Sequence, residues 1–259
     1  LAAAPSSANG ERDGFAATWF MSYEVPESEF EAMLREEIAA WEQMHENPGS
    51  NIKFPSAEGK FAPIASPNNQ DPALCENWKG DCLNRVRANP EATRQRLAEY
   101  ATRLQRSRAF AKYDHFKYPF EPSYDAPVSP IGGIINLQLA EVALQYTDGN
   151  VDQAFATLCA DTKSWRRLRA HSDSLINDMV GVAQMGNATQ LYAHMLAEQS
   201  LDYSAPCPDV FAPLTDAELN QCTVMRFEFL SLQNTLDDGL DFYFSNKGWG
   251  LVPKLVNSQ

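Results

Sequence analysis

Two stretches of this chain match at an offset of 37 residues: GNVDQAFATLCA at 149–160 and GNATQLYAHMLA at 186–197. Gly149 pairs with Gly186, Asn150 with Asn187, Gln153 with Gln190, Phe155 with Tyr192, Ala156 with Ala193 and Ala160 with Ala197. No other feature of the sequence restricts the fold as much. It predicts that in each copy a helix ends at the glycine, the chain turns, and a second helix packs back with an alanine at the close contact.

The rest of the chain agrees with helices. From Pro26 to about Glu46, Phe30, Met33, Leu34, Ile38, Trp41 and Met44 recur at helical spacing behind an acidic first turn. Asn89 followed by Pro90 reads as an N-cap with proline at the first helical position, opening a helix to about Lys112 that buries Leu97, Tyr100, Ala101, Leu104 and Ala111. Residues 215–238 read as another helix, with Thr215 and Glu218 as a capping box. FAATWFMSYEV before Pro26 is a short extended segment or an N-terminal helix, and 47–79 is a long surface loop. YDHFKYPFEPSYDAPVSP, too rich in proline for a helix, either plugs a core or presents a binding face. Strand signals are sparse. The expected fold is all-α, with helix-hairpin packing similar to tetratricopeptide units but three residues longer per repeat. One globular domain over 15–245 is expected to carry long disulfide-stapled loops, between a linker at 1–14 and a C-terminal tail at 246–259.

The five cysteines fall as two local pairs and a loner. Cys75 and Cys82 lie in a loop rich in Asn, Asp, Gly and Pro, and Cys207 and Cys222 flank another loop. Loop-borne pairs suit disulfides in an oxidising compartment. Cys75, Cys82, Cys207 and Cys222 allow three connectivities, Cys159 is expected to stay free, and the alternative is five reduced, buried thiols. No metal-ligand spacing is present, so neither a metal nor a cofactor is expected.

WRRLRAHSDSLINDMVG at 165–181 puts His171, Ser172, Asp173 and Ser174 side by side. A Ser/His/Asp mechanism needs base and orienting group brought to the nucleophile from separate elements, and no GxSxG elbow is present. A helix over 163–184 explains the run better. Trp165, Leu168, Leu175, Ile176, Met179, Val180 and Ala183 then form an apolar stripe that includes Ser172. Arg167, His171, Ser174 and Asp178 share another side, and Arg169 and Asp173 pair four residues apart. Adjacent carboxylates such as Glu36 and Glu37 or Asp237 and Asp238 do not face each other across a cleft. No catalytic residue is expected, and the chain is not expected to be an enzyme.

A formal net charge of −13 opposes nucleic-acid binding. Residues 1–50 carry ten acids against two bases, whereas 85–117 carry nine bases against three acids. These are two solvated faces that attract each other within the fold, or one of them docks a charged partner. No apolar run is long enough to span a bilayer. The polar start LAAAPSSANGERDG reads as the far end of a linker from a removed signal or anchor.

DGFAATWFMSYEVPE, CLNRVRANPEATRQRLAEYATRLQRSRAFAKYDHF and WRRLRAHSDSLINDMVG together resemble a family of mostly helical, membrane-anchored periplasmic proteins of proteobacteria, over most of residues 12–235. Proteins of this appearance are similar to immunity proteins of antibacterial effectors delivered by type IV or type VI secretion. The resemblance implies a periplasmic domain anchored to the inner membrane upstream of Leu1, with no other membrane contact. It implies that this domain binds a protein partner, a cognate toxin such as a lipase or cell-wall hydrolase, and inhibits it by occlusion. The alternative is a helical scaffold or accessory subunit of an envelope assembly. Neither reading marks which face binds.

Overall fold

The computed structural model describes residues 12–47, 53–68, 70–76, 79–123, 125–131 and 133–246, the side chains of 237–246 excepted. The expected linker residues 1–11 and tail residues 247–259 lie outside the described residues. Arg12 to Gly14 do not form a linker: the Arg12 backbone N–H donates to Asp114 at 3.0 Å and that of Gly14 to the His115 carbonyl at 2.9 Å.

The fold is all-α, with only isolated bridges among the described residues. The helices are α1 (Phe15–Trp19), α2 (Phe30–Glu46), α3 (Cys82–Ala88), α4 (Pro90–Glu99), α5 (Ala101–Arg108), α6 (Ile134–Thr147), α7 (Val151–Ala170), α8 (Leu175–Ala197) and α9 (Cys222–Asn246). Short 3-10 turns follow α1 and α5 and precede α2.

Helix α6 is the axis of the molecule. It is buried on nearly every side and packs against α3, α4, α5, α7 and α8, as a helix apolar all round must. At its end Gly149 takes φ +83°, the left-handed conformation that reverses the chain into α7. One hydrophobic cluster surrounds α6 on the side of α3, α4 and α8. A second is aromatic and gathers Phe15, Trp19, Phe30, Trp41, Phe116 and Trp165 among others. Val180 packs against both. The proline-rich loop is a plug: Tyr113, Phe116 and Phe120 are buried, and the Phe120 ring lies 5.0 Å from Trp19 and 6.1 Å from Trp41.

Several expectations need correction. The repeat exists at one end only. Gly149 ends a helix, whereas Gly186 lies inside α8, so the second copy does not open a hairpin of its own. The matching residues have another origin: α7 and α8 pack against each other, and the matched Phe155 and Tyr192 rings meet edge to face at 5.6 Å. The helix expected over 89–112 begins as read, with the Asn89 side chain accepting from Ala92 N–H at 3.2 Å. It bends at Tyr100 and tightens to a 3-10 turn over Ala109–Lys112, leaving Ala101 and Ala111 exposed. The Thr215–Glu218 capping box forms with both reciprocal bonds, but it caps a single turn, and α9 starts afresh at Cys222.

The disulfides are Cys75–Cys82 and Cys159–Cys207, and Cys222 is free and exposed. The expected roles of Cys159 and Cys222 are therefore exchanged. Cys207 is closer to Cys222 in sequence, but the segment after α8 runs back along α7 and brings Cys207 to Cys159, with Cα atoms 6.2 Å apart. The basic segment is largely neutralised within the fold. Lys112 meets Glu27 of the acidic segment at 3.0 Å, but Arg87, Arg94 and Arg108 pair with Glu198, Asp148 and Glu141 from elsewhere. Arg106 donates to the Phe20 and Val25 carbonyls at 2.7 and 2.9 Å. Among the described residues no helix is long and apolar enough to cross a membrane.

Candidate interaction surface

The run at 165–181 is neither a single helix nor a solvent face. It breaks at His171 to Ser174, where α7 gives way to α8. The Ser174 N–H donates to Ser172 Oγ at 3.2 Å, a serine turn of the kind that competes with helical hydrogen bonds. The plug loop completes the break: Phe116 N–H donates to the His171 carbonyl at 3.3 Å and Tyr118 N–H to Asp173 Oδ1 at 2.8 Å. His171 Nδ1 faces the Arg167 carbonyl at 2.9 Å. His171, Ser172 and Asp173 thus each bind a different backbone group, and they do not form a triad. Asp173 does not pair with Arg169. Arg169 Nε lies 2.8 Å from Asp178 in a buried ion pair, and Arg169 also donates to the Glu218 carbonyl at 3.0 Å. Gly181 makes room for it, since a Cβ there would stand 2.8 Å from the Arg169 Cβ.

Arg166 organises the segment after the second disulfide. It forms a two-pronged ion pair with Glu218, and its NH1 donates to the carbonyls of Asp209, Val210 and Ala212 at 2.9–3.1 Å. The hydrogen bonds from Arg166 hold the Glu218 carboxyl down at about 2. The Cys159–Cys207 bond pins the start of the same segment to α7.

The break also re-phases α8. A continuous helix would have buried Ile176 and Met179 in one stripe with Trp165. Instead the first half of α8 buries Asn177, Asp178, Gly181, Gln184 and Asn187. It exposes Ile176, Met179 and Val182 at 43%, 60% and 43%. Its inward face is thus largely polar, with Val180 and Ala183 the apolar side chains that reach the core. Gln184 donates to Gln138, which also accepts from the Trp165 indole at 2.9 Å, so the inward polar groups join a core network. The outward ridge is apolar, and a groove lies at each end. Beside Ile176 is a cavity of about 190 Å³ lined by Tyr118, Val128, Phe227 and Ser231. Beside Val182 is one of about 300 Å³ lined by Met185, Phe211 and Leu214, on the segment Arg166 holds.

Titratable groups gather elsewhere. Burial raises Asp13 and Asp173, with Glu31 adding to the first and Asp13 to the second, but their oxygens accept backbone N–H groups of Phe15, Lys117 and Tyr118 and anchor the plug loop beside His115. Asp161 is pushed up to about 7 by burial. Among the described residues no three His, Cys, Asp or Glu side chains are placed to hold a metal ion. Comparison with protein families, curated proteins and solved structures finds no match to the chain.

The ridge lies on α8 and not in the expected stripe because the helical phase changes across the break at 171–174. The signal was present in SDS, three residues that each favour local backbone hydrogen bonds over helix.

Proposed function

We propose that this protein is an envelope binding protein whose working surface is the ridge on α8, and that its partner is a secreted antibacterial toxin that it neutralises by occlusion. The polar inward face and apolar outward ridge of the first half of α8 carry the reading. A helix that buries the four polar side chains of Asn177, Asp178, Gln184 and Asn187 and leaves Ile176, Met179 and Val182 about half exposed gives up hydrophobic burial of about 1 kcal/mol per side chain, which a partner covering the ridge restores. Grooves at both ends supply pockets for anchoring side chains of that partner.

Two disulfides support an oxidising compartment such as the periplasm. The immunity role itself rests on the resemblance of the chain to periplasmic immunity proteins. Inhibition by occlusion requires only a rigid surface; a buried ion pair holds the α7–α8 corner, and the Arg166 clamp and the Cys159–Cys207 bond hold the segment beside it.

Deleting the gene and competing the strain against its parent tests this function. The deletion strain should be killed through the parent's secretion system and rescued by a plasmid copy. Equal survival of the two strains would sink the immunity reading.

A further inference from the structure

Helix α9 carries two faces. Val224 and Ser231 are buried, the Phe227 ring packs 5.0 Å from Tyr118, and Asn234 donates to the Pro122 carbonyl at 2.8 Å. About 150° around the helix, Met225, Phe229, Leu232 and Leu236 are between 56% and 65% exposed. Their spacing of four, three and four residues is a heptad seam, which meshes best with another seam of the same kind. The free Cys222 lies three residues before Met225 and continues the pattern, placing Cys222, Phe229 and Leu236 at one seam position and Met225 and Leu232 at the other.

We infer that the outer face of α9 is a self-association surface, and that two copies of this chain pair along it with their α9 helices parallel. A parallel two-fold arrangement sets each seam residue beside its own counterpart, so the two Cys222 thiols meet at the start of the seam. The seam from Cys222 to Leu236 is about 22 Å long. A homodimer interface of about 800 Å² a side that is about two-thirds apolar needs about 500 Å² of apolar surface from each copy. The four exposed side chains supply roughly 450 Å² of it, with a phenylalanine at the centre. The flanks do not oppose this register. Heptad geometry sets Glu228 against the second copy's Gln233, and Arg226 against the second copy's Gln221, so no like charges meet. A single exposed thiol in a chain whose other four cysteines are bonded also fits pairing between molecules. The inference is independent of what binds the α8 ridge.

Sedimentation equilibrium of the full chain, with and without oxidised glutathione, tests the pairing. One Cys222 thiolate attacks oxidised glutathione and expels a glutathione thiolate; the second copy's thiolate attacks the mixed disulfide and expels the other. Two thiols become one disulfide, and two glutathione molecules take the electrons and the protons. The untreated protein should show a monomer–dimer equilibrium, and treatment should give a covalent dimer on a non-reducing gel that Cys222→Ser abolishes. Phe229→Glu should raise the dimer dissociation constant at least about tenfold; if its circular dichroism differs from wild type, Leu232→Ser serves instead. A monomer whose Cys222 only takes up glutathione overturns the inference, whether the seam is covered by residues 247–259 or by another protein. So does a dimer insensitive to both substitutions, or one that glutathione never links.

Discussion

Asp161 carries a carboxyl into the contact of α7 with its neighbours, and Oδ2 has no hydrogen-bond partner among the described residues. Burial raises it to about 7, with the charge of Arg108 acting weakly in the other direction. The folded state therefore holds this proton more tightly than the unfolded chain, whose carboxyl titrates near 4. Its contribution to stability is fully present below about pH 4 and is lost as pH rises through about 7, a change of up to about 4 kcal/mol. Asp161→Asn should flatten this dependence and be the more stable form at pH 8, as measured by urea unfolding across pH; an unchanged slope would contradict the account. Arg166 is the opposite case, a charge with every prong engaged. Arg166→Ala should cost about 2–3 kcal/mol, and Arg166→Lys should restore little, because one ammonium cannot replace a two-pronged pair and several carbonyl contacts. Hydrogen exchange should show 208–218 losing protection while α6 keeps its own.

At the scale of elements, the corner between α7 and α8 decides which residues meet solvent. Gly181→Ala sets two effects against each other. Alanine gains about 1 kcal/mol of helix propensity. Its Cβ also falls 2.8 Å from the Arg169 Cβ, a methylene fixed to the backbone that cannot swing away, and overpacking of this kind costs about 1–3 kcal/mol. The clash should win, because Arg169 is held by Asp178 on one side and the Glu218 carbonyl on the other. Thermal unfolding should show a lower midpoint, and a raised one would mean that the corner yields. Signals confined to neighbouring residues were legible in the sequence: the period of α2, the Asn89 cap and the Gly149 reversal. The end of α7 was not. The groups that help break it, the amides of Phe116 and Tyr118, come from a loop about 55 residues away in sequence. For the same reason the capping box formed but did not start α9, since Glu218 is also held by Arg166.

The whole molecule is an α6 core, an aromatic cluster closed by the plug loop, and two outward apolar faces on α8 and α9. The helical fold could be read from apolar spacing, whereas the disulfide pairing could not, because Cys159 and Cys207 meet only through the packing of α7. Alkylating the denatured, unreduced protein and mapping its peptides should label Cys222 alone, and label on Cys159 would contradict the Cys159–Cys207 link. The bond closes a separation of 48 residues, a loop worth about 4 kcal/mol by chain entropy. On the α8 ridge Met179 is the most exposed side chain. Met179→Glu adds a charge where solvent already reaches, so its melting temperature should match wild type. The ridge's decisive test is complementation of the deletion strain in competition with the parent. Wild-type protein should protect and Met179→Glu, folded and equally abundant, should not; full protection by Met179→Glu would rule out the ridge as the working surface.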